Sequence, residues 1–326
     1  MRARRCAALA CAAFATALTV AGCTSTGSRT SFAPPSTVPE PPTTAPPPPV
    51  APVECADATA SQRPPAAMPQ PSRMPQGSYM AEIQARGRLI VGVADDTLLF
   101  GFLNPLTNRI EGFDIDMARE VARAIFGDPD AVELRAIAYS QRVPVLVEGS
   151  VDLVANTFTV NCARDQLIDF STVYYKAGQK VLVRNDSPAA RIQDLAGGRV
   201  CAAAGSTSIE NVRAIMTTPP IVAVEVEDQT DCLVAFQQGR VDAISTDDTI
   251  LAGLAAQDPY ARILPDFISE EPYGLGTSQA HPEFTAFVNG RLDQIRADGT
   301  WARIYNQWLG ELFGPAPAPP APTYEG

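Results

Sequence analysis

Several polar residues directly follow apolar, strand-like runs, where they could bind a small charged ligand. Thr157, Thr159 and Arg164 come after one such run, and Asp247 comes after another. Open α/β sheets bind ligands beyond the carboxyl ends of their strands. The planar guanidinium of Arg164 matches a carboxylate, which it can bind through two parallel hydrogen bonds. These residues indicate a site for a small carboxylate-bearing molecule, unless Arg164 is only a surface residue at a helix start and Asp247 only a helix cap.

A second carboxylate-binding feature lies between a predicted strand at 199–203 and a predicted helix at 206–216. Residues 205–208 (GSTS) would place free backbone amides at the positive end of the helix dipole. Ser206 or Thr207 could instead serve as the helix cap, and the two roles are compatible.

The composition excludes several classes of protein. His281 is the single histidine among 326 residues, so a His-rich metal centre is excluded, and no catalytic residue or cofactor is predicted. A formal net charge of -11 without a basic cluster argues against a nucleic-acid partner.

The two ends of the chain differ in composition from its middle. Residues 1–22 are typical of a lipoprotein signal peptide, and residues 20–23 (VAGC) resemble the bacterial lipobox, which predicts a lipid on Cys23 and a place on the outer face of the cell membrane. The alternative is a soluble secreted protein. Residues 23–79 contain fifteen prolines and no helical or strand period, which predicts a disordered tether, and residues 315–326 form a Pro-rich tail.

Helix and strand patterns alternate between the tether and the tail, which predicts α/β layers with mostly parallel strands. A helix that ends in glycine precedes a Val-Asp strand twice, at residues 141–154 and 232–244. This echo favours two lobes, and extended segments near 179–184 and 271–277 are predicted to cross between them. The first lobe is predicted at 80–179 and 275–314, and the second at 180–274; the aromatic residues of the last helix are assigned to the core.

Four cysteines, at positions 55, 162, 201 and 232, are predicted to remain in an oxidising compartment, where three pairings are possible. We favour Cys201–Cys232, because one residue ends a predicted strand and the other opens a helix in the same lobe. Cys55–Cys162 would then attach the end of the tether to the body. A zinc site is the alternative, but no CxxC pair is present.

Two segments carry a family resemblance. Residues 112–125 (GFDIDMAREVARAI) match the signature of bacterial extracellular solute-binding proteins of family 3, and residues 153–175 (LVANTFTVNCARDQLIDFSTVYY) resemble that family's ligand loop. The resemblance extends over residues 88–312, and the two Pro-rich ends resemble those of mycobacterial glutamine-binding-protein-like lipoproteins. It implies the type II periplasmic-binding-protein fold, with two α/β lobes that close on a ligand.

The resemblance also implies roles for single residues. Arg164 would bind the carboxylate of an amino acid, and Thr159 would face the same ligand through its amide and hydroxyl. The Thr157 carbonyl and the Asp247 carboxylate would meet the ammonium group.

Two assignments by resemblance are less direct. Tyr139 occupies the position of an aromatic wall over the ligand. Asp95 is assigned as a further ammonium-binding acid, although the spacing leaves Asp96 as an alternative.

The resemblance therefore predicts a monomeric, lipid-anchored receptor for glutamate, aspartate, glutamine or asparagine. It would deliver its ligand to an ABC permease. One alternative is a sensor that signals through a membrane receptor, and another is a dehydratase-type enzyme on the same fold.

Overall fold

Strands and helices alternate along residues 53–325, the part of the chain that the computed structural model describes. The signal peptide, Cys23 and the first thirty residues of the predicted tether lie outside this part. The strands are β1 Ala60–Ser61, β2 Leu89–Val93, β3 Asp96–Thr97, β4 Gly101–Asn104, β5 Arg109–Glu111, β6 Val132–Ala136, β7 Leu153–Ala155, β8 Asp169–Phe170, β9 Tyr175–Arg184, β10 Arg199–Ala203, β11 Val222–Val226, β12 Ala243–Asp247, β13 Ala261–Ile263, β14 Ser269–Tyr273, β15 Gly276–Thr277 and β16 Thr323–Tyr324.

The helices of the described residues connect these strands. They are α1 Tyr79–Arg86, α2 Phe113–Phe126, α3 Arg142–Val147, α4 Cys162–Asp165, α5 Thr207–Ala214, α6 Gln229–Gln237, α7 Asp248–Gln257, α8 Pro282–Ala297, α9 Thr300–Trp308 and α10 Gly310–Phe313, with 3-10 turns at Tyr139–Gln141 and Ile192–Leu195.

The sequence of helix α2 explains both its buried face and the residue at which it starts. Its apolar residues recur at helical spacing, and Ile115, Val121 and Ile125 are all fully buried. Gly112 caps the start of the helix and has a φ of 143°, which residues with a side chain rarely adopt. A Cβ added at Gly112 would lie 2.1 Å from the Phe100 carbonyl oxygen, so there is no room for a side chain. The signature glycine is thus required by backbone packing.

The first lobe contains a five-stranded sheet in the order β6-β2-β7-β15-β8. Strands β6, β2 and β7 run parallel, and β15 is antiparallel to its neighbours. Helices α2, α8 and α9 cover one face, where Trp301 is 2% exposed and donates from Nε1 to the Tyr174 carbonyl at 2.8 Å. This aromatic residue therefore belongs to the core, as predicted.

The second lobe contains a sheet in the order β11-β10-β12-β9-β13. Strands β11, β10 and β12 run parallel, β9 is antiparallel to β12, and β13 is antiparallel to β9, so β13 runs in the same direction as the first three. Both faces are covered, because Val181 and Val183 pack into one apolar cluster and Leu182 packs into another. This alternation is the two-residue period of a strand that is buried on both sides.

Strands β9 and β14 join the two lobes. They pair with each other in antiparallel register from Tyr175↔Tyr273 to Gln179↔Ser269, and β9 then continues into the sheet of the second lobe. The predicted crossings near 179–184 and 271–277 fall on or beside these strands.

The structure corrects the predicted ends of the folded body. The tether was predicted to reach residue 79, but β1 already pairs with β16, and Ser61 Oγ donates to the Phe170 carbonyl at 2.6 Å. The C-terminal tail is also attached, since Tyr324 donates to Asp293 at 2.6 Å. A Pro-rich stretch lacks a helical or strand period, yet it can still pack against a surface that other segments provide.

Both favoured disulfides are present, Cys55–Cys162 and Cys201–Cys232. Within residues 53–325, no helix is long and apolar enough to cross a membrane.

Candidate ligand-binding site

The loop after β7 brings three of the predicted residues together. Thr157, Thr159 and Arg164 are 2%, 5% and 9% exposed. Arg164 donates from Nη1 to the Thr159 carbonyl at 2.6 Å, and its own amide donates to the side chain of Asn161, the residue that caps α4. Arg164 is therefore held inside the molecule, which rules out the alternative of a surface arginine.

The signature helix α2 fixes this loop. Thr157 has a φ of 37°, a left-handed conformation that is strained for a residue with a branched side chain. Its amide donates to Asp114 Oδ2 at 2.6 Å, and the Tyr174 hydroxyl donates to Oδ1 at 2.6 Å. Burial raises the pKa of Asp114 to about 6, although these two hydrogen bonds lower the pKa in part. Asp114 thus positions the loop from behind.

Arg142 is a second buried cation, which the sequence analysis missed. It is 2% exposed and donates to four backbone carbonyls, among them Thr157 at 3.2 Å and Gly205 at 3.1 Å. It begins α3, after the carboxyl end of β6, so the strand-end rule that led to Arg164 could also have found it. The guanidiniums of Arg142 and Arg164 lie 4.7 and 5.0 Å from the centre of the Phe158 ring.

The two guanidiniums meet at one atom of the opposite lobe. Nη2 of Arg142 and Nη2 of Arg164 each donate to the Gly205 carbonyl oxygen at 3.1 Å. Gly205 has a φ of 71°, and an added Cβ would lie 2.7 Å from the Ser140 Cα, so only glycine allows this approach of the lobes. The guanidiniums therefore reach across the seam between the lobes.

All hydrogen bonds that these two guanidiniums make within the described residues end on backbone carbonyls. Burial, and then the charge of Arg164, lower the pKa of Arg142 to about 9, and burial lowers the pKa of Arg164. With a pKa of about 9, the Arg142 side chain remains charged at neutral pH, and a guanidinium such as that of Arg164 is not deprotonated in proteins. Two buried cations with only neutral partners form a site that an anionic group would stabilise.

Asp247 lies at the end of β12 and is 4% exposed. Its Oδ2 accepts from the Tyr273 hydroxyl, while Oδ1 is buried and has no hydrogen-bond partner among residues 53–325. The side chain makes no cap hydrogen bond to α7, so the simple cap interpretation fails. Burial, and then the negative charge of Glu271, raise the pKa of Asp247 to about 8.

Glu271 is a buried acid that sequence reasoning also missed. It lies on the crossing strand β14, is 1% exposed, and accepts from the Thr207 hydroxyl at 2.7 Å. Its sequence context is polar and offers no signal of burial. Two buried acids, Asp247 of the second lobe and Glu271 of the crossing strand, therefore lie at the same seam as the two buried arginines of the first lobe.

The two hydroxyl residues predicted at the start of α5, Ser206 and Thr207, have different roles in the structure. Ser206 caps α5, since its Oγ accepts from the Ile209 amide at 3.2 Å and donates to the Ala203 carbonyl at 2.6 Å. Its hydroxyl is therefore engaged in local structure, whereas Thr207 turns to Glu271 at the hinge.

Of the remaining predicted residues, Tyr139 lies in the buried cluster and Asp95 does not. Tyr139 is 4% exposed, and its hydroxyl lies 2.9 Å from Thr97 Oγ1 and 3.2 Å from Thr157 Oγ1, within the same cluster. Asp95 is exposed. Its neighbour Asp96 accepts from the Thr230 amide and hydroxyl of the second lobe, at 3.1 and 3.0 Å. Asp95 therefore lies at the surface, whereas the alternative, Asp96, contacts the second lobe, because successive residues of an extended chain point to opposite sides.

Two α/β lobes joined by a pair of crossing strands, with charged residues gathered at the seam, define a two-lobed binding protein. The chain belongs to the bacterial extracellular solute-binding proteins, family 3, whose family model matches residues 89–311. The predicted family and fold are confirmed. The family and the curated relatives are solute-binding receptors, so the protein is a receptor that acts outside the cytoplasm and is not an enzyme.

Individual relatives agree with this family. The chain is 41% identical over 201 residues to the glutamine-binding protein of Geobacillus stearothermophilus, covering 61% of this chain and 76% of that protein. It is 31% identical over 245 residues to the glutamate-binding protein GluB of Corynebacterium glutamicum, covering 72% and 82%. Among solved structures, a P235GK mutant of the arginine-binding protein from T. maritima has a TM-score of 0.65 at 26% identity, covering 71% of this chain and 99% of that one.

Proposed function

We propose that the protein binds a polar amino acid of the glutamate, aspartate, glutamine and asparagine class between its lobes. The observation that carries this proposal is that, within residues 53–325, the seam between the lobes holds both buried cations without an anionic hydrogen-bond partner and a buried carboxyl oxygen without any hydrogen-bond partner. Arg142 and Arg164 have only carbonyl partners, while Asp247 Oδ1 has none among the described residues. A zwitterion supplies both missing charges at once, so its binding would compensate the cost of burying these groups.

The side-chain class follows from the second cation. One guanidinium suffices for the constant carboxylate of an amino acid, and we assign this role to Arg164. Arg142 then offers donors to a side-chain oxygen, which acidic and amide side chains carry and aliphatic ones lack. The glutamine- and glutamate-binding relatives support the same class.

We further propose that a lipid on Cys23 anchors the protein and that it delivers its ligand to an ABC importer. The lipobox-like VAGC sequence at residues 20–23 supports the anchor. Uptake of radiolabelled amino acid in a strain that lacks the protein tests the importer role. Unchanged uptake would contradict delivery and would favour a sensor.

A thermal-shift screen of the twenty amino acids tests the ligand class. Stabilisation increases with the ratio of free ligand to its dissociation constant, so glutamate, aspartate, glutamine or asparagine should raise the melting temperature most. Leucine and lysine serve as controls, since one lacks a side-chain oxygen and the other adds a cation next to Arg142. A largest shift with either control would refute the proposed class.

Ligand affinity is expected to rise with pH up to about 8. The free protein holds a proton on Asp247 below its pKa of about 8, and this proton must leave when an ammonium group binds. Affinity should therefore increase by up to about tenfold per pH unit between pH 6 and 8 and then level off. Calorimetry in buffers of different ionisation enthalpy measures the released proton, and a flat profile would contradict the assignment.

Without ligand, the same group acts on stability with the opposite sign. The unfolded chain releases the Asp247 proton near its ordinary pKa of 3.8, and the folded protein retains it to about 8. The contribution of this group to the free energy of unfolding therefore falls as pH rises from about 4 to 8. Bound ligand should remove this loss.

A further inference from the structure

The disulfide between Cys55 and Cys162 attaches the N-terminal segment to the helix that carries Arg164. Cys162 is the first residue of α4, and Arg164 lies two residues later. This helix has four residues, too few for a helix to be stable by itself. The position of Arg164 therefore depends on what holds the ends of α4.

The other end of the cross-link is fixed to the first lobe. Asn289 of α8 donates from Nδ2 to Ser61 Oγ and to the Gln62 carbonyl, both at 2.7 Å. Ser61 in turn donates to the Phe170 carbonyl. Residues 55–62 thus form a brace, with one end in the lobe and the other bonded to α4 through the disulfide.

The two disulfides differ in access to solvent. Cys55 is exposed and Cys162 is partly exposed, whereas Cys201 and Cys232 are both 0% exposed. Thiol–disulfide exchange requires a thiolate to reach one sulfur, so a dissolved thiol can attack the first pair far more readily than the second.

We propose that the Cys55–Cys162 disulfide positions Arg164 and that its reduction weakens amino-acid binding while both lobes stay folded. This inference rests on the role of Arg164 under the proposed function. A dithiol supplies two electrons: one of its thiolates bonds to the Cys55 sulfur, and the Cys162 thiolate leaves and takes up a proton. The second thiolate of the reagent then closes a cyclic disulfide and releases Cys55 as a thiol.

Loss of the cross-link is expected to lower affinity about three- to tenfold. Without it, α4 and the side chain of Arg164 must be ordered when the ligand binds, and ordering one flexible side chain has a cost of this size. Amide hydrogen exchange in residues 159–166 should rise as well, because this exchange reports local opening.

The experiment compares Cys55→Ser/Cys162→Ser with Cys201→Ser/Cys232→Ser, using calorimetry with L-glutamate and L-glutamine and hydrogen exchange of residues 159–166. The first variant should lose affinity and local protection together, and the second should keep both in this loop. Unchanged affinity of the first variant, or an equal loss in both, would overturn the inference. Wild-type protein that binds neither amino acid would instead refute the proposed function and this inference with it.

Reduction of the wild type gives an independent version of the test, which also serves if the first variant does not fold. Dithiothreitol should lower the affinity for the same two amino acids while the circular dichroism spectrum stays unchanged, and reoxidation should restore it. Loss of the folded spectrum would contradict the inference, because the cross-link would then hold the whole fold and not Arg164 alone.

Discussion

Arg164→Ala is expected to weaken amino-acid binding by roughly 2–5 kcal/mol, a loss of about thirtyfold or more. The ligand carboxylate would lose a guanidinium that can hold it through two hydrogen bonds, and it would stay buried at the seam. The free protein should change less, because Arg164 is itself a buried cation whose side-chain hydrogen bonds, within residues 53–325, all end on backbone carbonyls. Calorimetry measures the affinity, and thermal unfolding of the free variant measures the change in stability.

Arg191→Ala is the matched control for this prediction. Arg191 has a side chain that is 64% exposed and, within residues 53–325, forms an ion pair with Asp194, three residues further along the chain. Its replacement removes an arginine at the surface and should leave affinity unchanged. Near-native affinity of Arg164→Ala, or a similar loss in both variants, would show that Arg164 does not hold the carboxylate.

Asp247→Asn is expected to weaken binding by about 1.5–3 kcal/mol, which corresponds to roughly ten- to 150-fold. The amide has the shape of the carboxylate and can still accept from Tyr273, so the change removes mainly the negative charge opposite the ligand ammonium. The variant also removes the titrating group, so its affinity should no longer rise between pH 6 and 8. Calorimetry at several pH values measures both effects.

Asp266→Asn provides the comparison at an exposed position of the same lobe. It makes the same Asp-to-Asn replacement outside the seam and should alter neither affinity nor its pH profile. If Asp247→Asn keeps the rise of affinity with pH, another group carries the linkage.

Some residues of the candidate site can be predicted from the sequence near them, and others can be placed there only by the packing of distant segments. Arg164 and Asp247 could be proposed from the sequence because each follows a strand, and parallel strands end at the same edge of a sheet. Arg142 obeys the same rule, but the residues after it form an apolar helical pattern, which predicts a packed helix and gives no sign of a buried cation. Glu271 could not be found in this way, since a polar stretch of a crossing strand carries no sign that packing will bury it.

The ends of the folded body were misplaced for a related reason. Composition reports whether a segment has its own helical or strand period, and residues 53–78 have none. Whether such a segment packs depends on partners far away in the chain, here Cys162, Asn289 and the tail strand β16. Those partners become neighbours only after the lobe has folded.

The sequence by itself determined the alternation of strands and helices, the signature helix and the order in which polar residues follow strand ends. These features depend on side-chain periodicity and backbone sterics within a few residues. Only the tertiary structure decided that Arg142 and Arg164 meet at the Gly205 carbonyl and that Asp247 lies buried near Glu271. Burial and charge proximity set the electrostatics of a site, and both arise from the approach of two lobes whose residues are distant in the chain.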